Sequence, residues 1–211
     1  FLTTAYYNAT SRNIAKLGRF VYFVSTENTL VRIDTAALTE AELTQGFSVE
    51  DFVVDKNGSI TVLTCMGKAV RLGNMAHIVL SVIAQVEYWC CIVMTHKGFV
   101  ASGWNETKQY NQYLTHDDKM NFRGSLQVPT SKLSRRLLAQ LGHGCVLQIS
   151  VIPRERYSLL VCRRATESIE LISCNGTELV LLDIKSVSEN SSLTSIVVVQ
   201  DWIFVSCEGM N

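Results

Sequence analysis

Short apolar runs separated by turn residues fill the chain from Phe20 onward. The clearest set lies at 77–113: Ile78–Val86, then Tyr88–Thr95, a Lys97-Gly98 turn, Phe99–Ser102, and a polar Gly103-Trp104-Asn105-Glu106 corner. Runs of about four to eight residues bounded by Gly, Asn and Ser read as strands. Upstream, Phe20–Ser25 and Leu30–Asp34 flank a Glu27-Asn28 turn. Val49–Asp55, Ser59–Thr64 and Lys68–Leu72 follow, with turns at Lys56-Asn57-Gly58 and Met66-Gly67. Downstream, Val146–Ile152, Tyr157–Cys162, Ser168–Ser173 and Glu178–Ile184 form another set, with an Asn175-Gly176 hairpin turn. Leu193–Gln200 and Trp202–Cys207 begin one more.

Two stretches carry a helical pattern instead. Thr35–Thr44 is rich in Ala, Leu and Glu, with Gly46 placed to end it. Ser131–Leu141 puts Leu133, Leu137, Leu138 and Leu141 on one face, with Ser131 as N-cap and Gly142 as stop. Lys132, Arg135 and Arg136 crowd its other side, a candidate docking face for an acidic partner. Thr107–Thr115 reads as an outer strand and His116–Arg123 as a solvated loop, so 116–144 reads as an insertion.

The strand sets share a form. Thr64-Cys65-Met66-Gly67 is followed after six residues by Asn74, and Thr95-His96-Lys97-Gly98 after six residues by Asn105. Such repetition implies an array, because one small sheet cannot bury both its apolar faces alone. With strands dominant and only 2 prolines, the expected class is all-β with one short inserted helix. Four-stranded units at spacings of roughly 30 to 65 residues fit a β-propeller. The expected units cover about 20–45, 47–75, 77–115, 146–185 and 193–211 of one domain.

The residues Thr95, Gly98, Val100, Gly103, Trp104, Asn105 and Glu106, with Gln109 or Gln112 beyond them, resemble the repeats of the RCC1 (regulator of chromosome condensation) family. Thr64, Gly67 and Asn74 match the same form more loosely, and Thr107-Lys108 stands where that family has glycine. The resemblance implies blades of a seven-bladed ring, of which this chain would supply three to four units, the remaining blades lying outside it. A chain that opens on Phe1 fits such a segment; a degenerate copy is the alternative. The resemblance also implies an interaction scaffold, with guanine-nucleotide exchange on a small GTPase or a chromatin-associated role as alternatives.

Composition narrows the classes further. Lys+Arg and Asp+Glu are 19 each, so the net charge is zero, which disfavours a nucleic-acid binder working by phosphate neutralisation. No run of about 18 apolar residues exists, so no membrane span is expected. The 7 cysteines are odd in number and sit mostly in strand-like runs, which reads as buried thiols in an intracellular setting. Sequons at Asn8, Asn57, Asn105, Asn175 and Asn190 read as a by-product of turns rich in Asn, Ser and Thr.

No stretch carries a catalytic signature, a phosphate loop or a cofactor motif, so the chain is read as non-enzymatic, without cofactor or metal. Cys90-Cys91 with His96 is a poor metal set, because adjacent strand residues point to opposite faces. His143-Gly144-Cys145 lacks an oxyanion loop and an orienting acid, and Asp117-Asp118 reads as a solvated turn with Lys119. Trp89 reads as sheet core and Trp104 as a corner. Tyr110 and Tyr113 either pack on an outer strand or stand as exposed anchors for a protein partner.

Overall fold

The computed structural model describes residues 14–44, 46–65, 68–72, 77–80, 88–95, 97–105, 110–117, 119, 121–129, 146–164, 168–176, 178–186, 191–200 and 202–209. Every regular element among them is a β-strand. The chain divides into two compact units, Phe1–Val82 and Ile83–Asn211.

The first unit holds two four-stranded antiparallel sheets in sequential order. One consists of β1 (Ile14–Leu17), β2 (Phe20–Val24), β3 (Leu30–Asp34) and β4 (Thr39–Glu42). The other consists of β5 (Val49–Val54), β6 (Ile60–Thr64), β7 (Ala69–Leu72) and β8 (His77–Leu80). Their facing sides close on Tyr22, Val24, Leu30, Val49, Phe52, Ile60, Val62 and Val70. Burying each such side chain contributes roughly 1.5–3 kcal/mol. A backbone bond crosses this seam, Val49 N–H to the Asn28 carbonyl at 2.7 Å.

The second unit holds β9 (Tyr88–Thr95), β10 (Gly98–Asn105), β11 (Tyr110–His116) and β12 (Phe122–Pro129), then β13 (Val146–Pro153), β14 (Ser158–Arg164), β15 (Ser168–Cys174) and β16 (Leu179–Ser186). Each set is a four-stranded antiparallel meander. β17 (Ser191–Val199) and β18 (Trp202–Gly209) add a two-stranded sheet. Between the first two sheets lie Cys90, Cys91, Val100, Trp104, Tyr113, Val146, Leu160, Cys162 and Ile172. Across that seam the Tyr113 hydroxyl donates to the Glu170 carboxylate, both residues being fully buried, and Cys91 Sγ donates to the Val146 carbonyl at 3.4 Å. A buried carboxylate is tolerable only where such donors meet it. The next seam closes on Ile152, Val161, Ile169, Leu193 and Ile196. There the Gln148 amide pairs with the Ile196 backbone at 2.9 and 3.1 Å, as an added strand would.

Several expectations are corrected. Thr35–Thr44 is not a helix: Asp34 Oδ1 accepts from the Ala36 and Ala37 N–H groups at 3.0 and 3.2 Å, closing a turn. The chain then returns as β4, with Asp34 opposite Thr39 and Val31 opposite Glu42. Sheet pairing overrides the helical preference of Ala, Leu and Glu, as tertiary context often does. Ile14–Leu17, ahead of the first expected strand at Phe20, is also a strand. His77–Leu80 pairs with β7, so it closes the second sheet rather than opening the third. Gly103-Trp104-Asn105 is no corner: β10 runs unbroken to Asn105 and is buried along its whole length, with one bulge between Ser102 and Gly103. Tyr110–His116 is an inner strand, since β12 lies outside it. Phe122–Pro129 therefore belongs to a sheet, not to an insertion. The expected helix at 131–141 lies outside the described residues.

Candidate functional site

In a four-stranded meander the first and third turns fall at the same end. In the second unit these are the turns β9–β10, β11–β12, β13–β14 and β15–β16, and contacts between the first two sheets fix them to one another. The β9–β10 turn opens with Thr95, whose hydroxyl donates to the Gly98 carbonyl at 3.3 Å. Gly98 has φ +142°, and a Cβ there would meet the His116 carbonyl and come within 2.7 Å of Asp117 Cα. Only glycine lets the β11–β12 turn lie so close.

Asp117 builds that second turn. Its Oδ1 accepts from the Lys119 and Asn121 N–H groups at 2.9 and 2.8 Å. Its Oδ2 accepts from Asn121 Nδ2 at 3.0 Å and from the Arg123 guanidinium. Burial pushes the Asp117 carboxyl up, but the hydrogen bonds from Asn121 and Arg123 and the Arg123 charge outweigh it and hold it at about 2. Beside it, His116 stacks on Phe99 (4.8 Å between centroids, 6° between planes) and meets the edge of Phe122 at 5.8 Å. Burial holds the imidazole below its ordinary 6.5, although the Leu114 backbone and the Asp117 charge favour its protonated form.

The neighbouring sheet contributes the turn Asn175–Glu178, closed by the Glu178 N–H donating to Asn175 Oδ1 at 3.1 Å. Lys97 reaches across the seam. Its Nζ donates to the Asn175 carbonyl at 2.9 Å, and its stem lies on Gly176, where a Cβ would be 2.6 Å from Lys97 Cδ. Thr115 Oγ1 donates to the Gly176 carbonyl at 3.1 Å. Two hairpin ends from different sheets are thus pinned into one surface. The β13–β14 turn, closed by the Arg154 N–H to the Tyr157 carbonyl at 2.9 Å, lies at the same end. Phe122 (58%) and Tyr157 (37%) are exposed at this end, as are Lys97, Glu155, Arg156 and Glu178.

The residues singled out in the sequence fall elsewhere. Tyr110 (6%) and Tyr113 (0%) pack inside the sheet, so neither is an exposed anchor. Trp104 is 1% exposed and belongs to the core between sheets. Asn105 is buried, as is Gly103 at the β10 bulge. Thr64 accepts the Lys68 N–H at 3.1 Å on its hydroxyl, so both threonines close turns. The two turns are not equivalent, however: Thr64 ends the second strand of its sheet and Thr95 the first. Gly67, Asn74, His96, Asp118, Lys132, Arg135, Arg136, His143 and Cys145 lie outside the described residues, as do the side chains of Tyr88 and Trp89. Among the described residues no three His, Cys, Asp or Glu side chains group as metal ligands, and no helix is long and apolar enough to cross a membrane. The surface now seen was partly signalled: Asp117, Asn121 and Arg123 at alternate and fourth positions are the residue types of a side-chain-closed turn.

No family model matches the sequence, and no curated protein is similar to it. Solved structures are similar in fold. The WD40 β-propeller domain of Doa1 matches with a TM-score of 0.66 at 12% identity, over 94% of this chain and 62% of that one. BBS1N, solved in complex with ARL6DN, matches at 0.59 and 14% identity, over 88% and 56%. The β-propeller domain of Myceliophteria thermophila Cps50 (Swd1) matches at 0.56 and 9% identity, over 94% and 65%. The chain therefore has an all-β fold of the β-propeller class, and spans less than two thirds of these neighbours.

Proposed function

We propose that this chain is a non-enzymatic protein-interaction module whose five sheets serve as blades of one propeller domain. The observation that carries the reading is the pinned loop surface, in which Lys97 and Thr115 tie the ends of two sheets together at Asn175 and Gly176. Loops held by a rigid scaffold are where binding residues concentrate. Phe122 and Tyr157 supply aromatic anchors there, and Lys97, Glu155, Arg156 and Glu178 supply charges of both signs for a partner with apolar and charged side chains. BBS1N, similar in fold, was solved in complex with ARL6DN, which supports the same reading. An intracellular setting belongs to the proposal, since the thiols of Cys90, Cys91, Cys162 and Cys174 pack as small apolar groups. The basic face of Lys132, Arg135 and Arg136 is proposed as a second contact for the partner.

The test compares quantitative cross-linking of the parent with a Tyr157→Ala/Arg156→Glu double variant and with Lys185→Glu, a control on an exposed strand. Partners lost only from the double variant support the reading. Identical partner sets for all three contradict it.

Finer assignments draw on the segment from Thr95 to Asn105, where Thr95 and Gly98 do close a turn. These are an RCC1-like subtype, guanine-nucleotide exchange on a small GTPase, and a chromatin scaffold. Faster nucleotide release from a member of a GTPase panel supports the exchange reading, and a salt-dependent nucleosome shift supports the chromatin one.

A further inference from the structure

The dipeptide Asn-Gly occurs twice, at Asn57-Gly58 between β5 and β6 and at Asn175-Gly176 between β15 and β16. In this dipeptide the glycine nitrogen can attack the asparagine side-chain carbonyl, because no Cβ on glycine blocks the approach. The two turns hold their asparagines differently.

Asn175 is tied on every side. Its N–H donates to the Glu178 carbonyl and its Oδ1 accepts from the Glu178 N–H, both at 3.1 Å. Lys97 Nζ donates to its backbone carbonyl at 2.9 Å, and Thr115 Oγ1 to the Gly176 carbonyl at 3.1 Å. The Lys97 stem covers Gly176. The side-chain amide cannot swing toward the Gly176 nitrogen without breaking its bond to Glu178.

Asn57 is exposed, and among the described residues its side-chain amide makes no hydrogen bond. Asp55 closes this turn through the backbone instead. Asp55 Oδ1 accepts from the Asn57 and Ser59 N–H groups at 2.8 and 2.9 Å, and the Asp55 carbonyl accepts from the Gly58 N–H at 3.0 Å. Gly58 is uncrowded: a Cβ there would meet Leu17 Cδ2 at 3.5 Å, an ordinary contact. Opening the Gly58 N–H bond in an exposed turn is enough to free the nucleophile.

We propose that Asn57 is a site of spontaneous modification, converting through a succinimide to aspartate and isoaspartate, and that the ties on Asn175 guard the same dipeptide there. The Gly58 nitrogen gives its proton to water and bonds to Asn57 Cγ. The Cγ–Nδ2 bond breaks, and the amide nitrogen leaves as ammonia with a proton from water. A second water opens the ring, and no oxidant or reductant takes part. Opening at the backbone carbonyl gives isoaspartate, in which the main chain runs through Cβ and Cγ. That lengthens the turn, displaces Gly58 from the Asp55 carbonyl and leaves a new carboxylate at the tip.

Peptide mapping by mass spectrometry of the full chain, aged at neutral pH, tests this, with isoaspartate detected by isoaspartyl-directed enzymatic methylation. Asn57 should convert at least about fivefold faster than Asn175, the factor that one retained hydrogen bond supplies. Lys97→Ala should raise the Asn175 rate about fivefold and leave the Asn57 rate unchanged. In denaturing urea the two rates should converge, because the fold and not the local sequence separates them. An Asn57 that stays intact, or converts no faster than Asn175, overturns the proposal. So does a Lys97→Ala chain with an unchanged Asn175 rate, or a difference between the two sites that persists in urea.

Discussion

Among the described residues, the two units bring different contacts to the seams between their sheets. In the first, the seam between β1–β4 and β5–β8 is an apolar cluster around Phe52 and Leu30, crossed by the Val49–Asn28 backbone bond. In the second, the seam between β9–β12 and β13–β16 has an apolar cluster too, around Trp104 and Leu160. It adds side-chain ties at two depths: Tyr113 to Glu170 in the core, and Lys97 to Asn175 and Thr115 to Gly176 at the loop end. Apolar packing supplies energy without direction, whereas a buried hydrogen bond is satisfied in one register only. The second unit therefore holds its loops in a fixed relation, which is what a binding surface requires.

The largest expected effects are the ones the units share. Phe52→Ala in the first and Trp104→Ala in the second should each cost about 3–5 kcal/mol, read by hydrogen exchange of strand amides. A loss confined to one of them would show that the apolar seams are not comparable. Next, Gly98→Ala puts a methyl group into the Asp117 backbone at an unfavourable φ. It should cost about 1–3 kcal/mol and loosen the β11–β12 turn specifically. Acid separates the units further. His116 has its pKa lowered on folding, so the unfolded chain binds the proton first and stability falls as pH drops below 6.5. Asp117, also lowered, keeps its contribution above 3.8 and loses it as pH falls toward about 2. In the first unit Asp34 is lowered as well: burial opposes the shift, and the Ala37 and Ala36 N–H groups and Arg19 outweigh it. Its loss also begins only below 3.8. Amides of β10–β12 should thus lose protection between pH 6.5 and 4 while those of β1–β4 do not. His116→Phe should abolish that difference. Smallest is Lys97→Ala, which removes an exposed tie worth about 1 kcal/mol or less and should raise exchange at Asn175 and Gly176 alone.

Most strands were legible because alternation and turn chemistry are local. Leu30–Asp34, the Asn57-Gly58 turn and the Asn175-Gly176 turn stand where the pattern put them. Which strands share a sheet was not legible, because pairing is nonlocal. His77–Leu80 looks the same in sequence whether it ends one sheet or opens the next. The same blindness made the Thr64–Gly67 and Thr95–Gly98 forms look like one repeat, although they join different strand pairs. Burial also escaped the sequence: Tyr110 lies between Gln109 and Asn111 and Tyr113 follows Gln112, yet both sit on an inner strand. The pinned surface went unseen because Lys97 and Asn175 are 78 positions apart.

A double-mutant cycle on Tyr113→Phe and Glu170→Gln, read by hydrogen exchange of β11 and β15 amides, tests most directly whether a buried polar tie sets the seam of the second unit. The account predicts a coupling energy of about 1–3 kcal/mol between the two positions. Additivity within about 0.5 kcal/mol would contradict it.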